Sequence, residues 1–251
     1  YANESKGERY PPIQLWEGDS TALDDCKRRA EIDISPNMRA VYPEYLSDIN
    51  VLLCPSDSTA LTHITVDGWW NWNGDPNSDK RNPCRFSAES YNYFGWAIMD
   101  KDMVLEGKDI NDPAINETNI YFYLNPGFLA VLLDLVDQRY PDWAATGDDK
   151  KIDSDMKQDN VDLTIYRLRE GIERFFITDI NNPAASNKAQ SEVWIMSDDV
   201  NSQPEFMNHI PGGGNVLFMD GHVEFIRYPG ESPVCRLWAC LLGFLTGQLY
   251  P

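Results

Sequence analysis

The sequence predicts an α+β domain built mainly on antiparallel strands, with a C-terminal β-hairpin, one buried helix and long loops. Three observations carry that expectation. Asp220-Gly221 stands between two runs of strand formers, 215–219 and 222–226, and Asp-Gly in that setting marks a hairpin turn. Residues 127–139 hold Phe128, Leu129, Val131, Leu132, Leu133, Leu135 and Val136, apolar on most faces as a buried helix is. Stretches rich in Gly, Asn, Asp and Pro lie between such elements and read as loops.

The elements follow in order along one domain, 1–251. Residues 1–20 are polar with Pro11-Pro12 and read as an extended lead-in segment. Residues 21–31 fit a short helix or a loop. Pro36 and Pro43 bracket Met38, Val41 and Tyr42, which favours a helical turn. Asn50 to Cys54, closed by Pro55, reads as a short buried strand. Residues 67–85 form an aromatic-rich loop around Trp69, Trp70 and Trp72. Tyr91, Tyr93 and Phe94 mark a strand. Residues 141–162 read as a charged loop, and a second helix fits Leu168, Ile172, Phe175 and Phe176. Val193 to Met196 is strand-like. Residues 234–251 make an apolar C-terminal tail, helix-compatible and too short to span a membrane.

The hairpin invites a register. A two-residue type I′ turn at Asp220-Gly221 pairs Phe218 with Val223 and Val216 with Phe225. It puts all four on one face, toward the core.

Composition narrows function. The chain has 251 residues and is 42% hydrophobic, so it can bury a sizeable core. Its formal charge of -19 repels phosphate backbones and argues against nucleic-acid binding. No 18-residue apolar run is present, so no lone membrane-spanning helix is expected. Five cysteines form no Cys-x-x-Cys pair.

Candidate sites are few. Asp148, Asp149, Asp153, Asp155 and Asp159 are dense enough to chelate calcium, a cation that takes six to eight oxygens, though no EF-hand pattern is present. A solvated acidic loop is the competing reading. Trp69, Trp70 and Trp72 could stack on a glycan, or pack a small core under the loop. His209, Asp220 and His222 could form a metal triad, against a structural His209 bonding near the Gly212–Gly214 turn. That glycine run lacks the following Lys-Ser/Thr of a phosphate loop. No Gly-x-Ser-x-Gly elbow is present, and His63 sits in a Thr-rich stretch with no catalytic context.

The segment Asn208 to Gly230 (NHIPGGGNVLFMDGHVEFIRYPG) resembles the C-terminal signature of prepilin-type bacterial proteins, a His followed after nine residues by Asp-Gly. Here ten residues separate His209 from Asp220. VYPEYLSDINVLLCPSD (41–57) is similar to that family's Cys-Pro-Ser-Asp segment, and SYNYFGW (90–96) to the strand that follows it. LREGIERFFITDINNPAASNKAQSE (168–192) resembles a stretch common in one branch. The resemblance implies a type IV pilin-like or type II secretion pseudopilin-like head, exported and non-enzymatic, that self-associates or joins other pilin-like subunits. It also implies an N-terminal helix ahead of Tyr1, the sole membrane contact, and an apolar groove for it unless the 234–250 tail or a neighbour fills that groove. Calcium or glycan binding on such a filament is the alternative.

Export in turn implies a disulfide, expected between Cys54 and Cys84, which stand beside prolines at the edges of the Trp loop. Cys26 remains for a partner upstream, and Cys235 could pair with Cys240 in a non-helical tail. His209, Asp220 and Gly221 take structural roles in this reading.

Overall fold

The structure, a computed structural model, describes residues 1–18, 26–177, 189–209 and 212–249. Helices and antiparallel sheets are mixed, as the α+β class requires. The chain forms two compact units, 1–95 with 134–154 and 96–133 with 155–251.

In the first unit, strand β1 (Ile13–Gly18) pairs antiparallel with β2 (Cys26–Pro36), Gly18 opposite Cys26. Residues 26–31 are therefore strand, neither helix nor loop. The turn Met38–Val41 is helical, as its flanking prolines suggested, and Asn37 caps it by accepting from the Arg39 N–H. Ile49–Leu52 is a 3-10 turn rather than a strand. The apolar run is too short to fix a period, and Asp48 caps it as a helix start. Helix Ser58–Thr65 follows, capped by Asp57. Met38, Ile49, Leu53, Ala60, Ile64, Trp70 and Phe86 make one apolar core. Strand β3 (Tyr91–Tyr93) lies where its aromatics placed it. The predicted 141–162 loop opens with helix Tyr140–Thr146, whose Trp143 meets Trp16 of β1 edge-on at 5.6 Å.

Cys84 is bonded to Cys26, not to Cys54 as expected, with a Cα–Cα distance of 5.6 Å. The ladder explains the choice. The Gly18–Cys26 end of β1–β2 abuts the 3-10 turn Pro83–Arg85, and Gln14 Nε2 on β1 donates to the Pro83 carbonyl at 3.1 Å. Cys54 instead lies buried beyond the 49–52 turn. The bridge spans a sequence separation of 58, which in the chain-entropy picture stabilises by about 4 kcal/mol.

In the second unit, β4 (Trp96–Ala97), β6 (Thr164–Arg167) and β5 (Met156–Lys157) form one small antiparallel sheet. β7 (Trp194–Asp198), β8 (Gly213–Phe218) and β9 (Val223–Arg227) form a meander with β9 at its edge. Helix Pro126–Asp134 buries Phe128, Val131 and Leu132. The predicted second helix is only a 3-10 turn, Ile172–Phe175. The tail is helical over Arg236–Leu249. Its first turn is tied by Asn111, whose Oδ1 accepts from the Arg236 N–H at 2.9 Å. Leu237 through Leu242 are all buried, and Trp238 meets Trp194 of β7 edge-on at 5.3 Å. The tail thus supplies its own cover for one end of the meander. Cys235, just ahead of this helix, and Cys240 within it keep their thiols, and burial pushes the Cys235 thiol up to about 12. Among the described residues no helix is long and apolar enough to cross a membrane.

One buried carboxylate in the first unit gives a stability test. Asp33 accepts the Ala88 N–H at 3.1 Å and lies 3.7 Å from Arg29. Burial outweighs both and raises its pKa from 3.8 to about 6. The unfolded chain sheds that proton first as pH rises, so stability falls between about pH 4 and 6. Asp33→Asn is expected to unfold later in urea than the wild type at pH 7.5, by up to about 3 kcal/mol. The two curves should coincide near pH 3.5, where Asp33 carries its proton in both states.

Candidate functional site

Two side-chain clusters, one in each unit, gather the residue types that carry chemistry. The first surrounds the hairpin. β8 pairs Leu217 with Val223, Val216 with Glu224 and Asn215 with Phe225. That register is one residue off the expected one. The turn has three residues, Met219-Asp220-Gly221, closed by Phe218 N–H to the His222 carbonyl at 3.0 Å and by Gly221 N–H to the Phe218 carbonyl at 2.9 Å. Gly221 alone among them has positive φ, at 89°, as in a type I turn ending on a left-handed residue. The slip turns β9 over. Val216 and Phe218 still face the core, but Val223 is 60% and Phe225 49% exposed.

Asp220 Oδ1 accepts the His222 N–H at 3.1 Å and faces its Nδ1 at 2.5 Å, and these contacts hold its pKa below the usual carboxylate range. The His222 ring stacks on Phe218, centroids 4.5 Å apart. His209 belongs to the hairpin's base. Its Nε2 lies 3.0 Å from Oδ2 of Asp198, a carboxylate with no exposed surface at the end of β7. A carboxylate accepts, so Nε2 donates. The same oxygen accepts the Asn215 N–H at 2.6 Å and Asn215 Nδ2 at 2.9 Å. His209, Asp220 and His222 do not assemble as a ligand set. The His…Asp-Gly signature instead clasps the base of the hairpin and shapes its tip.

The second cluster lies in the aromatic loop. Trp70 is core, stacked on Phe86 at 4.5 Å, and Trp72 is half-buried. Trp69 is 43% exposed. His63 stacks on it at 5.1 Å, and the Arg85 guanidinium lies 4.5 Å from its ring centroid. His63 Nδ1 is 3.1 Å from Glu89 Oε2, while Glu89 Oε1 accepts from Ser87 Oγ at 2.5 Å. The carboxylate stands between imidazole and hydroxyl. A nucleophilic serine needs the imidazole next to it, so this chain orients His63 rather than activating Ser87.

The five candidate calcium aspartates divide between the units, and four of them have protein partners. Asp148 caps the Lys150 N–H. Asp149 accepts from Trp143 Nε1 at 2.9 Å, and Asp153 pairs with Arg9 at 2.8 Å. Asp155 accepts the Arg167 N–H and pairs with Arg169, and Asp159 is exposed. Among the described residues no three of them bring ligand atoms within metal-binding reach.

Sequence reasoning missed Asp198, Arg85, Glu89 and the orientation of His63. The acceptor for a motif histidine had to be sought at a strand end, where Ser197-Asp198 closes β7. Arg85 carried no local signal beyond its place beside Cys84.

Comparison with protein-family models, curated proteins and solved structures returned no match.

Two substitutions test the hairpin. A Cβ at Gly221 meets nothing within 4 Å, so Gly221→Val is strained by backbone conformation alone. It should lower unfolding free energy by roughly 1 kcal/mol or more in urea titration. Asp198→Ala strands the Asn215 N–H in the interior and is expected to cost about 2–4 kcal/mol. Loss of less than 0.5 kcal/mol in either case would contradict the assigned role.

Proposed function

We propose that this chain is a structural subunit of an extracytoplasmic pilin-like or pseudopilin filament, and that its work is assembly. The observation that carries this reading is the outer side of the hairpin. β9 is the edge of its sheet, and it leaves Val223 and Phe225 bare. An exposed apolar edge strand templates pairing with another chain, and folded proteins blunt such edges unless they use them. The signature residues His209, Asp220 and Gly221 are committed to building this hairpin, which leaves its surface as the part available for work. The Cys26–Cys84 disulfide fits an oxidising compartment.

The charge of -19 sets the conditions. Like-charged copies repel across a low-salt buffer. At physiological ionic strength the Debye length falls to about 8 Å, short enough for apolar edges to meet. The full-length processed protein should therefore assemble more readily at 150 mM NaCl than at 10 mM, seen by sedimentation and electron microscopy. Val223→Asp and Phe225→Asp lie at exposed positions. They should shift sedimentation toward monomer while leaving circular dichroism unchanged. A strictly monomeric full-length protein at every salt concentration, unaltered by either substitution, would sink the reading.

A further inference from the structure

β9 is the edge of its sheet, with β8 its only sheet neighbour among the described residues. The phase of that ladder is set at both ends. Phe218 N–H donates to the His222 carbonyl at 3.0 Å, and Tyr228 N–H to the Gly212 carbonyl at 3.2 Å. Bonded and unbonded pairs alternate along an antiparallel ladder. His222, Glu224, Ile226 and Tyr228 therefore turn their backbone groups to β8, while Val223, Phe225 and Arg227 turn theirs outward. Among the described residues nothing bonds to those outward groups. A Cβ on Gly230 would lie 2.4 Å from the Arg227 oxygen, so glycine there keeps the last of these carbonyls clear.

The same three residues share a face of the strand. Val223 is 60% and Phe225 49% exposed, and Arg227 is exposed. His209 meets the Phe225 ring edge-on, centroids 5.9 Å apart, so the ring is held while half of it stays in water. Glu224 and Arg227 are the one acid and the one base of β9. The strand is thus locally neutral in a chain of charge -19, and a basic partner finds no acidic row here. A second copy brings a strand of equal length with the same outward donors and acceptors.

We propose that β9 pairs antiparallel with β9 of a second copy, Phe225 opposite Phe225 on the two-fold axis and Val223 opposite Arg227. This rests on the reading of β9 as an assembly edge and names its partner. Outward residues bond only to outward residues, so the copies slide in steps of two. A slide of two one way sets Glu224 against Glu224, like charges directly opposite, which destabilise. Two the other way sets Val223 against Pro229, which has no N–H. Slides of four set Arg227 against Arg227, or pair Phe225 with Gly221, whose N–H already serves the Phe218 carbonyl. In the remaining register each Phe225 N–H donates to the other copy's Phe225 carbonyl. Arg227 has the second copy's Phe225 on its diagonal, within reach of a long side chain, and a guanidinium is attracted to an aromatic face. An isologous seam closes on two copies, so β9 joins subunits in pairs and filament growth passes through other faces.

Cysteine trapping reads the pairing directly. Phe225 faces its copy across a bonded pair, Cα atoms about 5.5 Å apart, which a disulfide spans. Val223 and Arg227 are opposite each other in the same way, whereas each stands about 13 Å from its own copy. After diamide oxidation of the whole protein and quenching with N-ethylmaleimide, Phe225→Cys should run as a linked dimer on a non-reducing gel. Val223→Cys and Arg227→Cys should each stay at the wild-type level alone. An equimolar mixture of the two should give at least tenfold more dimer than either. Cys54, Cys235 and Cys240 are buried, so the wild type sets a low background. If Phe225→Cys does not fold, the mixture decides. No dimer from Phe225→Cys or from the mixture would overturn the proposal. So would Val223→Cys or Arg227→Cys linking to itself as well as the mixture does, the mark of another register or of random collision. Linked dimers with no filament in the electron microscope would keep this pairing and sink the filament reading, and filaments with no link would do the reverse.

Discussion

Loops carry much of this fold, and every loop N–H out of reach of water or a ladder needs an acceptor. Short acidic and amide side chains supply it. Asp48, Asp75, Asp109, Asp112, Asp148 and Asp220 each accept the N–H two residues on. At helix starts Asn82 does the same, and Asp57 accepts the N–H three residues on. Such side chains favour turns because they can mimic the backbone bond a turn lacks. Much of the acidity is therefore a folding device. The same need extends to tertiary structure, where Asp198 gathers His209 and Asn215 at the base of the hairpin.

That use of carboxylates explains what the sequence revealed and what it hid. An Asp-rich stretch such as 148–159 looks the same whether its oxygens face a cation or the protein's own N–H groups. The helix beginning at Pro126 and the hairpin turn at Asp220-Gly221 were legible because periodicity and turn chemistry are local. Helix Arg236–Leu249 was legible as apolar and helix-compatible. The register of the hairpin was not. The slip leaves Val216 and Phe218 of β8 facing the core and turns out only Val223 and Phe225 of β9, so the inner face keeps its β8 half. Turn geometry decides, and Asp-Gly serves a two-residue or a three-residue loop. The disulfide was hidden for a different reason. Cys26 and Cys54 are equivalent in sequence, and only the β1–β2 ladder brings one of them to Cys84.

The first unit buries two charges with opposite prospects. Asp33 is sealed between Arg29 and the Ala88 N–H, and its carboxyl adapts by holding its proton to about pH 6. A carboxylate can shed its charge when burial makes charge costly. Arg85 cannot. Burial lowers its pKa, but a guanidinium stays protonated across the physiological range. Asp33 thus solves its desolvation by titration, at a cost to stability near neutral pH. Arg85 keeps its charge and is held instead by the Trp69 carbonyl, which accepts from Nε at 2.7 Å, and by the Trp69 ring, whose centroid lies 4.5 Å from the guanidinium.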